Sequence, residues 1–218
     1  MNVCKLYKKL ADKKVQCTAC ANYCNITEGA VGTCGVRQNV DGTLYLLNYG
    51  KIISIGLDPI EKKPLYHYYP GSKAISISGL GCNFKCSFCQ NWDISQFPML
   101  KTHDTNRRIT NNSIEKLGYD FTPDEFIKYC IKHDYKYIAY TYNEPTISLE
   151  YFTEIMKLAM QNNIKNIWVT NGYISKEGFE NCKDYIDAAN IDLKSFDNEF
   201  YRKHCKSKIS VKSNSNAK

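Results

Sequence analysis

The chain has 218 residues, 43% hydrophobic and 23% charged, with a net charge of +7, which allows a real core and excludes wholesale disorder. No apolar run reaches the length of a membrane span, the Lys-rich start lacks the apolar stretch of a secretory signal, and the scattered lysines form no basic helix or aromatic-interleaved stripe of the kind that binds nucleic acid. Eleven cysteines, an odd count in tight clusters, favour metal ligation in a reducing, cytoplasmic setting over a disulfide framework.

In chain order, the first feature is the group Cys17, Cys20, Cys24 and Cys34. Four thiols so close together suffice for a tetrahedral zinc site or a second iron–sulfur cluster. The other reading, small buried hydrophobes, sits poorly with the polar neighbours Thr18, Asn22, Asn25 and Thr27. The turn signal Asp41-Gly42 precedes residues 44–49 and Gly50 precedes 51–57, a pattern that predicts two short strands joined by a turn. Residues 1–67 therefore read as a small Cys-rich, metal-stapled β domain. It closes on the connector Asp58-Pro59-Ile60-Glu61-Lys62-Lys63-Pro64-Leu65.

A second domain, residues 68–205, alternates strands with helices, the pattern of a parallel α/β sheet. Its first strand, Ala74-Ile75-Ser76-Ile77-Ser78, runs through Gly79-Leu80-Gly81 into Cys82-Asn83-Phe84-Lys85-Cys86-Ser87-Phe88-Cys89. Thiolates spaced C-x-x-x-C-x-x-C can converge on one metal centre. A closed iron–sulfur cube or a structural zinc takes four protein ligands, so three leave one iron open to a small molecule, unless a zinc ion borrows a fourth ligand from elsewhere.

Residues 101–120 are polar and predict a long loop. Thr122-Pro123-Asp124-Glu125 predicts a capped helix start. Further strands over 135–142, 164–170 and 189–193 alternate with helices over 147–161 and 176–185. The strands end in Asn143-Glu144-Pro145-Thr146, Asn171-Gly172 and Lys194, so each polar group of interest falls at a carboxyl end, where such sheets place their active sites. Cys4, Cys130, Cys182 and Cys205 have no near cysteine neighbour and are expected to be dispensable for metal. Residues 206–218 read as a disordered tail.

The three-cysteine spacing, with Phe88 before the last cysteine, resembles the signature of radical S-adenosylmethionine (SAM) enzymes. That resemblance implies an open iron chelated by the amino and carboxylate groups of SAM, with Phe88 near its adenine. Thr141-Tyr142-Asn143-Glu144-Pro145 occupies the place of the family's second-strand motif, which carries to Glu144 the binding of the SAM ammonium. Val169-Thr170-Asn171-Gly172 and Asp192-Leu193-Lys194 resemble motifs of the branch containing the pyruvate formate-lyase activating enzymes, which carries cosubstrate binding to Asn171, Asp192 and Lys194. Val169 stands where the activases have an acid.

A closer resemblance, over about residues 17–197, is to the radical SAM proteins of the AmmeMemoRadiSam system, through Gly32-Thr33-Cys34-Gly35-Val36-Arg37, the Asp58 to Leu65 string, Tyr69-Pro70-Gly71-Ser72 and Cys89-Gln90-Asn91-Trp92. It implies an incomplete (β/α)6 radical SAM partial TIM barrel and a 4Fe-4S cluster on Cys82, Cys86 and Cys89. It also implies reductive cleavage of SAM to methionine and a 5′-deoxyadenosyl radical, hydrogen abstraction from an unidentified substrate, and an electron donor of the ferredoxin or flavodoxin type. The family's fifth and sixth strands are not recognisable, so truncation is expected. A glycyl-radical-enzyme activating enzyme with a protein substrate and a non-catalytic metal-binding fragment are the alternative readings.

Overall fold

The protein, a computed structural model that describes residues 2–96, 114 and 116–208, opens in short antiparallel strands. β1 (Asn2–Val3), β5 (Arg37–Val40) and β6 (Thr43–Leu46) form one sheet, and β2 (Tyr7–Lys9), β3 (Val15–Cys17) and β4 (Asn25–Ile26) a second. β7 (Lys51–Ile52) pairs with β10 (Tyr119–Asp120). The principal sheet holds β8 (Ser54–Pro59), β9 (Lys73–Ser78), β11 (Tyr137–Tyr140), β12 (Lys165–Thr170) and β13 (Ala188–Ile191), in the order β13-β12-β11-β9-β8. β9, β11, β12 and β13 run parallel, and β8 lies antiparallel against β9.

Cover on both faces of the sheet's centre buries its strands almost end to end, the serines of β9 included. Every residue of β9 after Lys73 is buried, as are Ile138, Ala139 and Tyr140 of β11. The register sets Ile77 beside Tyr140, Tyr140 beside Trp168, and Thr170 beside Ile191. The residues that follow each strand are thereby brought to one edge.

Between the strands lie α1 (Trp92–Ser95), α2 (Pro123–Lys132), α3 (Leu149–Gln161) and α4 (Lys176–Cys182). α2 starts at Thr122, whose side chain accepts the Glu125 amide while the Glu125 carboxylate accepts the Thr122 amide, so two otherwise orphaned donors are satisfied. α3 buries Leu149, Phe152, Ile155, Met156 and Ala159, the stripe of an amphipathic helix.

Several elements differ from the sequence reading. The strand pair expected over 44–57 is not a hairpin: β6 pairs with β1 and β5, β7 with β10, and β8 with β9. Residues 54–59 therefore belong to the principal sheet, and Cys4, Val36 and Leu44 share one core with Ile75, Ile138 and Phe152, so residues 1–67 do not stand as a separate core. The loop expected over 101–120 ends in β10, while its residues 101–113 lie outside the described residues, as do residues 209–218 of the expected tail. The helices expected over 147–161 and 176–185 include 3-10 turns, Pro145–Ser148 before α3 and Lys183–Tyr185 after α4.

One buried ion pair joins the two parts. Arg37, on β5, and Glu150, on α3, are 2% and 5% exposed. Arg37 Nη1 donates to Glu150 Oε1 at 3.0 Å, Nη2 donates to Oε2, and Nε donates to the Ile147 carbonyl at 3.0 Å. Burial alone would raise the Glu150 carboxyl, but Arg37 overrides it and holds the group below its ordinary value. Removing the carboxylate strands the guanidinium, so Glu150→Ala is expected to cost about 3–5 kcal/mol in a denaturant titration. Because the folded-state value is depressed, the pair's contribution is present at neutral pH and is lost as pH falls through the depressed value. The stability gap between wild type and Glu150→Gln should therefore hold from neutrality down and close only below about pH 4. A gap that does not depend on pH would contradict this.

Candidate metal centre

The chain leaves β9 through two glycines with no room for a side chain. A Cβ on Gly81 would lie 2.3 Å from the Cys34 carbonyl oxygen, and the residue has φ +89°. A Cβ on Gly79 would lie 2.5 Å from Ser148 Oγ. The backbone then curls through Cys82, Cys86 and Cys89, all partly exposed. Asn143 Nδ2 donates to the Gly81 carbonyl at 2.7 Å. Asn171 Nδ2 donates to Asn83 Oδ1 at 2.8 Å, and Asn22 Nδ2 to the Asn83 carbonyl at 3.1 Å. Phe84 is buried against the rings of Tyr173 and Tyr201. On the far side, the Lys85 and Ser87 amides donate to the carbonyls of Cys205 and His204 at 2.9 and 2.8 Å. The loop is thus fixed from every neighbouring strand end.

All three cysteines line one cleft of about 300 Å³ with Glu144, Asn171, Asp192 and Lys194. Burial pushes the Cys82 thiol up to about 12. Burial, followed by the neighbouring Cys205, does the same to Cys86. A cation must therefore displace their protons. The Phe84 amide points at Cys82 Sγ, 3.4 Å away, a donor that would stabilise a thiolate. Among the described residues no three His, Cys, Asp or Glu side chains stand close enough to share one metal ion. Three thiols with no imidazole lining the cleft are a donor set that would fit a four-iron cluster with one iron left open.

Glu144 sits at the floor of this cleft, 3% exposed. Its Oε1 accepts from the Thr146 amide (3.1 Å), the Thr146 hydroxyl and the Thr170 hydroxyl (2.8 Å). Its Oε2 accepts the Asn171 amide at 2.8 Å and keeps a lone-pair direction for one more donor. Burial raises this carboxyl above its ordinary value against the pull of those donors. Asn143 adds an Oδ1 that is buried without a partner, and its side chain also lines the cleft.

Asp192 and Lys194 follow β13 and pair at 2.9 Å on the cleft wall. Asn171 spends its side chain on Asn83 and on the Tyr173 amide, so it holds the loop. Phe88 is 48% exposed, packs on Phe200 and is not among the residues that line the cleft. Cys205, isolated in sequence, is buried beside Cys86. Sequence reading also missed Tyr142, Lys62 and Lys63 as cleft residues.

Cys17, Cys20, Cys24 and Cys34 line one small, largely apolar cavity together with Arg37. The fold gathers the four around this one cavity. Their segment is tied to the third strand end by the Ala21 amide on the Tyr173 carbonyl (3.0 Å) and the Ser175 amide on the Ala19 carbonyl (3.3 Å).

Comparison with known proteins agrees with this geometry. The profile of the Radical SAM superfamily matches residues 76–214. An uncharacterized protein of Methanocaldococcus jannaschii is 40% identical over 210 residues, covering 96% of this chain and 58% of that protein. A second from the same organism is 37% identical over 122 residues, 55% of this chain and 32% of that protein. The 4-hydroxyphenylacetate decarboxylase activating enzyme of Clostridium scatologenes is 26% identical over 118 residues, 51% of this chain and 37% of that enzyme. The chain thus spans at most 58% of the length of these relatives. QueE from Escherichia coli shares 17% identity at a TM-score of 0.37, over 56% of this chain and 52% of that one.

Two glycines make a paired test. Gly71, at φ +78°, has open space where a Cβ would stand, with nothing within 4 Å, whereas Gly81 has the Cys34 carbonyl there. Gly71→Ala should lower stability by about 1–2 kcal/mol, the strain of a left-handed alanine. Gly81→Ala should cost about 3 kcal/mol or more and reduce iron uptake. Equal thermal shifts for the two variants would contradict the packing described.

Proposed function

The chain belongs to the radical SAM superfamily, and we propose that its cleft holds a 4Fe-4S cluster on Cys82, Cys86 and Cys89 and cleaves SAM reductively. The observation that carries this reading is the opening of three thiols from one loop and the Glu144 carboxylate into a single cleft at the carboxyl ends of parallel strands. When bound, the cluster supplies one electron to the SAM sulfonium, whose C5′–S bond breaks to give methionine and the 5′-deoxyadenosyl radical that abstracts hydrogen from substrate.

The chain's own residues bind and orient. Glu144 offers Oε2 to the SAM ammonium, a charge-assisted bond made to a carboxylate already fixed by three residues. Asp192 and Lys194 present a paired acceptor and donor for the polar parts of the cosubstrate. Asn171 acts through the loop that it holds. The electron comes from a donor of the ferredoxin or flavodoxin type. The Asp58 to Leu65 string supports placing the chain in the AmmeMemoRadiSam branch. The likeness to an activating enzyme supports a second reading, in which the hydrogen comes from a glycine of a partner protein. Among the described residues no helix is long and apolar enough to cross a membrane.

Cys17, Cys20, Cys24 and Cys34 are proposed as a separate zinc or iron–sulfur site, supported by the cavity they share.

Two variants separate the roles in the main cleft. Cys86→Ala should abolish the cluster bound by the Cys82 loop, read as iron per chain after anaerobic reconstitution, without touching metal at the four N-terminal cysteines. Glu144→Gln keeps the acceptor for Thr146 and Thr170 but removes the charge. It should leave iron unchanged and weaken SAM binding at least about tenfold, and unchanged affinity would contradict the role given to Glu144.

A further inference from the structure

The Asp58 to Leu65 string has no part in the cluster and SAM binding proposed above, yet its Lys62, Lys63 and Pro64 line the same cleft. Asp58, near the end of edge strand β8, is 8% exposed. Its Oδ1 accepts from Lys62 Nζ at 2.8 Å, and its Oδ2 accepts from Lys63 Nζ at 2.7 Å and from the Tyr142 hydroxyl at 2.6 Å. Lys63 Nζ also lies 5.1 Å from the centre of the Tyr142 ring. Ile60, fully buried, anchors the turn, and Glu61 accepts the Gly71 amide at 2.7 Å to close the loop behind it. Lys62, Lys63 and Tyr142 all line the cleft that holds Cys82, Cys86 and Cys89.

Tyr142 is itself held against its preference. Its φ is +69°, a conformation that costs a bulky residue of order 1–3 kcal/mol and persists only where surroundings impose it. The hydroxyl is held by Asp58, and the carbonyl accepts Asn91 Nδ2 at 2.7 Å. Gly56 leaves space for the hydroxyl, since a Cβ there would lie 2.7 Å from it.

The charges on this wall do not cancel. Asp192 is matched by Lys194, and Glu144 is given to the SAM ammonium in the reading proposed above, which leaves the single Asp58 carboxylate to serve both Lys62 and Lys63. One ammonium charge is in excess, and the fixed phenol adds a polar group beside it. In the reading proposed above the carboxylate of SAM is taken up by iron, so the anion that this wall accepts belongs to another molecule. We infer that the substrate carries an anionic oxygen group, a carboxylate or a phosphate, which docks on Lys62 and Lys63 beside Tyr142. The inference rests on the radical SAM reading and narrows its substrate class to acids. A plain glycyl backbone brings no such group.

The test uses the full chain, reconstituted anaerobically with SAM bound, and inorganic phosphate and succinate as separate probes at ionic strength held constant with chloride. Binding is read by ³¹P relaxation for phosphate and by ¹H relaxation for succinate. Wild type should bind at least one probe saturably. Lys62→Met, a change at a side chain 59% exposed, should weaken that binding about tenfold while iron content and SAM affinity stay at wild-type values. Preference for phosphate or for succinate identifies which anion the wall reads. No saturable binding of either probe, or equal binding by Lys62→Met, would overturn the inference. So would a parallel loss of SAM affinity, which would assign the lysines to the cosubstrate. Absence of iron or of SAM binding in the wild type would instead be a failure of the underlying reading, visible before any probe is added.

Discussion

One buried carboxylate organises the cleft. Glu144 takes donors from the turn that follows β11 and from the end of β12, so the second and third parallel strands are joined at their carboxyl ends by a single group. Asn171, whose amide is one of those donors, in turn holds Asn83 of the cysteine loop at the end of β9. The distance from carboxylate to thiols is therefore set by a chain of hydrogen bonds, each to a group that would be costly to leave unpaired at this depth. The proposed binding of a cationic cosubstrate by Glu144 would draw on this preorganisation, because a mobile anion would lose its geometry to solvent.

The N-terminal segment works as a brace for that arrangement. Arg37 joins it to α3 through Glu150, Gly81 packs on the Cys34 carbonyl, and Asn22 donates to the Asn83 carbonyl. The four-cysteine segment and the three-cysteine loop are thus mechanically continuous, and metal at the first would stiffen the second. Across the cleft, Asp58 plays the part for Lys62, Lys63 and Tyr142 that Glu144 plays for the strand ends. The two carboxylates differ in their partners, Glu144 held by hydroxyl and amide donors and Asp58 by two ammonium groups and a phenol.

Much of this was legible in the sequence, for identifiable reasons. The cysteine spacing, the helix cap at Thr122 and the polar residues at strand ends are local signals, and the alternation of short apolar-rich strands with helical segments marks a parallel sheet. What sequence could not show was pairing at a distance. The short strands over 43–59 look alike whichever neighbour they take, because strand pattern fixes a face and not a partner. Nothing local marks Arg37 and Glu150, 113 residues apart, as partners until the fold buries them together. Phe88 sits in the expected motif position yet turns toward Phe200, and Cys205 reaches Cys86 only through the turn at residues 201–205.

The central claim is that the Cys82 loop and Glu144 form one working site. The most direct measurement is electron paramagnetic resonance of the anaerobically reconstituted, reduced protein with and without SAM, paired with assay of 5′-deoxyadenosine. The account predicts a cluster signal that changes when SAM is added, together with 5′-deoxyadenosine formation. A cluster signal indifferent to SAM, or no cluster on these three cysteines, would contradict it.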